Sequence, residues 1–176
     1  CQALASLGAN IGKLVNLKTL TLSGCKVLKE LPEGFGNLTS LTALDLSNCE
    51  GLERLSSDIG NLQVSTLTLR GCKLLKEIPE SFGELAKLTK LNFYACAALE
   101  TLPESIGNLT KVTEIDLSQC TALTSLPTSL GQLTNLKKLI MPRTGLTTLS
   151  ATISSLSALE ELDVTGQGGT TGISGV

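Results

Sequence analysis

The sequence predicts an α/β-type solenoid: stacked coils with a parallel β-sheet on the concave face and short 3₁₀ or irregular turns on the convex face. Three observations predict it. Cysteines recur at Cys1, Cys25, Cys49, Cys72, Cys96 and Cys120, spaced by 24, 24, 23, 24 and 24 residues. Leucines move with them, so that Leu14, Leu38, Leu62, Leu85, Leu109, Leu133 and Leu156 each open a unit. Aromatic residues make up only 2% of the chain against 41% hydrophobic overall, so leucine must supply the interior. A fixed period of this length marks a repeat architecture in which single units cannot bury their apolar faces alone.

Each unit reads L-x-x-L-x-x-L-x-L-x-x-C-x-x-L-x-x-L-P-x-x-I-G-x, with Phe, Val, Ile or Leu exchanging at the apolar places. A half unit occupies residues 1–13, six full units start at 14, 38, 62, 85, 109 and 133, and a partial unit covers 156–166. Residues 1–166 thus form a single array, and 167–176 read as a flexible Gly-rich tail. The unit from Leu62 is one residue short before Val64, and the unit from Leu133 is one short after Thr144.

Within a unit the x-L-x-L-x segment alternates with period two, which predicts a short strand with one buried face. Equivalent strands stack in parallel. The Pro-x-x-Ile-Gly stretch forms the outer wall, where proline fixes φ and glycine is expected to let the chain turn back. Each buried leucine contributes about 2 kcal/mol. The departures are Gly8, Ser56 and Ser150 in the proline place and Thr144 in the cysteine place.

The pattern resembles the leucine-rich-repeat superfamily over nearly the whole chain, which implies a right-handed superhelix serving as a binding module. Cys at the twelfth place and the "LPxxIGNL" join are most like the repeats of plant intracellular nucleotide-binding immune receptors. Plant cytoplasmic leucine-rich-repeat proteins are similar, but favour Asn where this chain has Cys. Cell-surface receptors of plants carry Gly before Ile-Pro; here the matching residues are Glu30-Leu31-Pro32, Glu77-Ile78-Pro79 and Thr101-Leu102-Pro103.

The six cysteines read as a packing column, with S–H groups meeting backbone carbonyls, and not as disulfides, because their Cβ vectors should run parallel. No Cys-x-x-Cys and no histidine is present, so no zinc site is expected and no cofactor is implied. Free thiols suit a reducing compartment, hence a cytoplasmic location. Without histidine the usual general base is missing. The Gly166, Gly168, Gly169 cluster follows a strand but precedes no helix, so it is no phosphate loop. The expectation is a chain that is not an enzyme. Asn37-Leu38-Thr39 and Asn108-Leu109-Thr110 match the glycosylation sequon but fall at the repeat's own "GNLT" join.

Net charge is −2 and no run of apolar residues is long enough to span a bilayer, which argues against nucleic acid or membrane as partners. Another protein is the expected partner. Its contact surface should be the outward strand positions, places six, eight and ten of each unit. Toward the N-terminus these are Thr, Ser and Ala. Further on they vary: Arg70, Lys90, Asn92, Tyr94, Glu114, Asp116, Lys138 and Ile140, with Arg143 beside them. Tyr and Arg carry binding energy disproportionately, so the patch from Arg70 to Ile140 is the candidate site. Lys26, Lys29, Glu30, Glu50, Glu53, Arg54, Lys73, Lys76 and Glu77 alternate in sign between units and predict exposed inter-coil pairs. Neither end carries a polar cap, so the chain reads as a fragment of a longer one or as one whose ends associate with another copy, end to end. The leading functional expectation is a protein-recognition module, as the ligand-sensing part of a plant-type immune receptor or as a signalling scaffold. The rival is an ectodomain fragment of an extracellular receptor.

Overall fold

A computed structural model describes residues 3–149 and 151–166. Cys1, Ser150 and the tail from Gln167 lie outside them, as do the sequence expectations made there. Seven three-residue strands follow the predicted segments: β1 (Thr19–Thr21), β2 (Ala43–Asp45), β3 (Thr66–Thr68), β4 (Lys90–Asn92), β5 (Glu114–Asp116), β6 (Lys138–Ile140) and β7 (Glu161–Asp163). They form one parallel sheet in chain order. Leu20 aligns with Leu44, Leu44 with Leu67, Leu91 with Ile115, Ile115 with Leu139, and Leu139 with Leu162. Both one-residue deletions are absorbed without loss of register. Between strands the described residues form short 3₁₀ turns, such as Glu80–Glu84, Glu104–Asn108 and Thr128–Gln132. This is the fold of a leucine-rich-repeat solenoid.

The core is one continuous column. Leu28, Leu41, Leu52, Leu75, Leu88, Leu99, Leu123 and Leu136 are fully buried, and Phe35, Phe82 and Phe93 fill the widest gaps. The Phe82 and Phe93 rings meet at 6.1 Å in a tilted arrangement. Coils at the two ends are less covered. Leu14 is 51% exposed and Val15 48%, whereas the residues equivalent to Leu14 in the following coils are buried. At the other end Leu149, Ile153, Leu159, Leu162 and Val164 are only partly buried.

The cysteines do what their spacing predicts. Cys25, Cys49, Cys72, Cys96 and Cys120 are free and buried. The Cys49 thiol donates to the Leu22 carbonyl at 3.2 Å, Cys72 to Leu46 at 3.3 Å, Cys96 to Leu69 at 3.2 Å and Cys120 to Phe93 at 3.2 Å. Each thiol therefore ties its coil to the one before. A second ladder runs the other way. The residue before each cysteine, or before Thr144 in the cysteine place, sends its amide to the next coil: Gly24 to Ser47, Asn48 to Arg70, Gly71 to Tyr94, Ala95 to Ser118, Gln119 to Pro142 and Arg143 to Thr165, at 2.6–3.0 Å. All of these donors have positive φ, the four that are not glycine included.

The wall glycines need correcting. The turn-back role expected of them would require positive φ, and Gly36, Gly60, Gly83, Gly107 and Gly131 do not have it. Their function is close approach. A Cβ on Gly60 would lie 2.1 Å from the Ser81 carbonyl oxygen of the next coil, and one on Gly36 would lie 2.1 Å from that of Asp58. Only the missing side chain lets successive turns nest this tightly.

The same wall carries an inter-coil cap. The first amides of a 3₁₀ turn have no partner within it. The Glu104 carboxylate accepts from the Thr128 amide at 3.0 Å and the Ser129 amide at 2.9 Å, closing the turn of the coil that follows. Glu80 does the same for the Ser105 amide at 3.1 Å. These bonds hold the Glu104 carboxyl below its ordinary pKa.

Candidate functional site

The outward strand positions form three columns. In the sixth-place column opposite charges meet: Lys90 Nζ is 2.6 Å from Glu114 Oε2, and Lys138 Nζ is 2.7 Å from Glu161 Oε2. Contact with Glu161 raises the Lys138 pKa, first through their hydrogen bond and then through charge. These side chains are about half exposed, so the pairs add little stability. What they do is fix the position of four charges on one face.

The eighth-place column is shaped by the chain's own turns. Asp45, Asn92, Asp116 and Asp163 each accept the backbone amide two residues on, at 2.8–3.0 Å. This side-chain turn leads the backbone toward the positive-φ residue that follows. The Ser118 hydroxyl also donates to Asp116 Oδ1 at 2.5 Å, and Ser118 is buried. Of the sequence-predicted contact residues, Asn92 and Asp116 thus have one oxygen committed to the fold, leaving the outer atoms for a partner. Ile140 stands between Asp116 and Asp163 in this column and is only partly buried.

The tenth-place column holds the most organised group. The Arg70 guanidinium lies over the Tyr94 ring, 4.8 Å from its centroid. The Tyr94 hydroxyl accepts from Gln119 Nε2 at 3.0 Å. Tyr94 is therefore gripped on its face by a cation and at its tip by an amide. Arg143, three coils from Arg70, is exposed, with φ of 57°. Gln119 was not among the candidates read from the sequence; it occupies the eleventh place, just outside the three strand columns. The signal that could have found it is its position next to the cysteine, one coil along from the lone tyrosine. Glu161 was likewise missed as the partner of Lys138.

Nearer the N-terminus the same face is bare. Thr19, Thr21, Ala43, Asp45, Thr66 and Thr68 border a shallow hollow of about 300 Å³. Off the strand face, the predicted inter-coil pairs form: Glu50 lies between Lys26 (3.6 Å) and Lys73 (3.3 Å), and Glu30 meets Arg54 at 2.9 Å. Lys73 and Lys26 hold the Glu50 carboxyl below its usual range. Among the described residues no group of three or more His, Cys, Asp or Glu side chains is placed to hold a metal ion. No helix among them is long and apolar enough to cross a membrane.

Comparison with known proteins agrees with the geometry. The family profile described as Leucine Rich Repeat matches residues 16–38, 40–62 and 63–85. The sequence matches no curated protein. Among solved structures, a leucine-rich-repeat protein of Leptospira interrogans is 28% identical, with TM-score 0.58, covering 91% of this chain and 46% of its own. The leucine-rich-repeat domain of the type III effector XopL is 29% identical, with TM-score 0.64, covering 80% of this chain and 58% of its own. The ectodomain of the Arabidopsis receptor kinase HAESA, solved with an extended IDA peptide hormone, is 26% identical, with TM-score 0.60, covering 86% of this chain and 26% of its own. The chain therefore spans about half the length of the first two. The three matched segments are leucine-rich repeats, and the fold is that of a leucine-rich-repeat solenoid, which commonly serves as a protein-interaction scaffold.

Proposed function

We propose that the chain is a protein-recognition module that binds its partner on the strand face, between Arg70 and Arg143. The observation that carries this reading is the contrast between a repeated interior and a strand face that breaks the repeat. The interior keeps leucine at nearly every place through seven coils. The face changes from small residues to Arg70, Lys90, Asn92, Tyr94, Glu114, Asp116, Lys138, Ile140 and Arg143. Most of these are prearranged: Tyr94 by Arg70 and Gln119, and the lysines by glutamates in the next strand. Rigid aromatic and charged groups lose little entropy on binding. The partner is another protein, neither nucleic acid nor membrane, and the chain acts without catalysis.

In the cell we place the module in the cytoplasm, as the sensing part of a plant-type immune receptor or as a signalling scaffold. Buried free thiols and the "LPxxIGNL" joins support that reading. A second reading, the ectodomain of an extracellular receptor, is favoured by the likeness to the HAESA ectodomain and by Asn37 and Asn108, both exposed in sequons. The half-exposed apolar residues at the two ends support end-to-end association of copies.

Affinity capture on immobilised protein, followed by Tyr94→Ala and Ile140→Ala, tests the site. Each substitution is expected to weaken capture of a strand-face partner about fivefold or more. Unchanged affinity in both variants refutes the patch. The sequence flanking the chain separates the two readings: a nucleotide-binding domain supports the first, and a signal peptide with a membrane span supports the second.

A further inference from the structure

The lysines of the strand face are matched by carboxylates, and Arg70 is not. Lys90 sits on Glu114 and Lys138 on Glu161. Among the described residues the Arg70 guanidinium has no carboxylate within ion-pair distance and lies instead over the Tyr94 ring. Its flanking positions are neutral. Thr68 and Asn92 stand in the eighth-place column where Asp45 and Asp116 stand on either side, and Ser47 precedes Arg70 in the tenth. The acidic positions of the face are thus interrupted around this one arginine.

The contact with Tyr94 also fixes how Arg70 can be used. A guanidinium carries its donors in its own plane, in a fork that matches a carboxylate. Attraction to the ring holds the charge without supplying a carboxylate, so among the described residues the fork has no ion-pair acceptor. Tyr94 cannot swing away freely, because Gln119 holds its hydroxyl. The cation is therefore held in place with its fork open to a partner.

We infer that Arg70, seated on Tyr94, is the receptor for an acidic side chain of the partner protein, bound through a two-point contact to the guanidinium fork. This rests on the strand-face reading above and names the chemistry that the face selects. Asp or Glu of the partner meets Arg70. Three coils further along the same face, Arg143 stands in the eleventh place beside Pro142 of the tenth-place column, and Ile140 stands in the eighth.

Selection of a random twelve-residue peptide library on the immobilised protein tests this. Peptides that lose binding in Tyr94→Ala or Ile140→Ala are taken as strand-face binders, and their sequences and affinities are compared between the parent protein and Arg70→Gln. The expected result is enrichment of Asp or Glu at one position, and about tenfold or greater weakening in Arg70→Gln. Replacing that Asp or Glu by its amide should cost the same, and the two changes together no more than either alone. Arg70→Lys should recover only part of the affinity, because it keeps the charge without the fork. Arg70 is exposed, so circular dichroism of the variants should be unchanged.

Strand-face peptides without an acidic preference overturn the inference and leave the proposed function standing. So do acidic peptides that bind Arg70→Gln as well as the parent, or a phosphoserine in place of the acid that binds tenfold tighter. If no selected peptide is sensitive to Tyr94 or Ile140, the strand-face reading fails as well.

Discussion

Filling the cleft at the wall glycines should destabilise the protein in an order set by distance. The Cβ added by Gly→Ala would stand 2.1 Å from a backbone carbonyl oxygen at Gly36 and Gly60, 2.3 Å at Gly83, 2.5 Å at Gly107 and 2.9 Å at Gly131. A carbon and a carbonyl oxygen rest at about 3.3 Å or more. The coils must therefore part by about 1 Å at Gly60 and by less than half of that at Gly131. The obstacle at Gly60 is backbone, and the coil that carries it is also held by the sheet and by a cysteine bond, so it cannot move alone. Overpacking of this kind costs about 1–3 kcal/mol, and Gly→Ala returns about 0.5–1 kcal/mol through the unfolded chain. The net expectation is a loss of about 2 kcal/mol for Gly36→Ala and Gly60→Ala, slightly less for Gly83→Ala, and close to zero for Gly131→Ala. Urea unfolding followed by circular dichroism measures this, with the slope of the transition checked because repeat arrays can unfold in parts. A flat series, or Gly131→Ala costing more than Gly60→Ala, refutes the close-approach role. If the glycines served turn geometry instead, distance to the next coil would not order the losses.

Two further predictions concern ionisation. Burial pushes up the pKa of Cys72, Cys96 and Cys120, that of Cys96 to about 12. Above the unfolded thiol pKa of about 8.5–9 the unfolded chain loses protons that the folded chain keeps, so stability falls as pH rises; three thiols give a slope of about 4 kcal/mol per pH unit. Urea midpoints between pH 8 and 11 read this slope, and a flat profile contradicts burial of the column. The Glu104 carboxyl is held low by the Ser129 and Thr128 amides, so its contribution is present above the unfolded pKa of about 4.3 and is lost as pH falls. Glu104→Gln should speed hydrogen exchange at the Thr128 and Ser129 amides at neutral pH, and the difference from the parent should vanish in acid. Equal exchange at neutral pH would remove the cap from the account.

How much of this was legible in the sequence depends on the length scale of each contact. Contacts that repeat with the period could be read directly. Leu44 under Leu20 and Cys72 over Leu46 follow from counting, and so does the sign alternation of Glu50 against Lys26 and Lys73. Contacts fixed by backbone geometry could not. Gly60 looks like a turn residue until the Ser81 carbonyl is seen against it, because the spacing says which residues are neighbours and not how near they lie. The commitment of Asp116 to the Ser118 amide is a local turn that alternation along a strand does not reveal. Gln119 meets Tyr94 from a residue with positive φ, a backbone state that the alternation of the strand does not announce. The candidate patch is therefore legible as a set of positions, whereas its internal pairing depends on backbone geometry that spacing does not specify.

The two ladders at the cysteine turn have a consequence for shortening the protein. Thiol hydrogen bonds point toward the N-terminus, and the amides before them point toward the C-terminus. Trimming whole coils from the front leaves an S–H without an acceptor, and trimming from the back leaves an N–H without one. Cutting out an interior coil, by contrast, lets the flanking turns rejoin with every donor matched. Shorter versions should therefore be made by internal excision of 24-residue blocks and not by truncation.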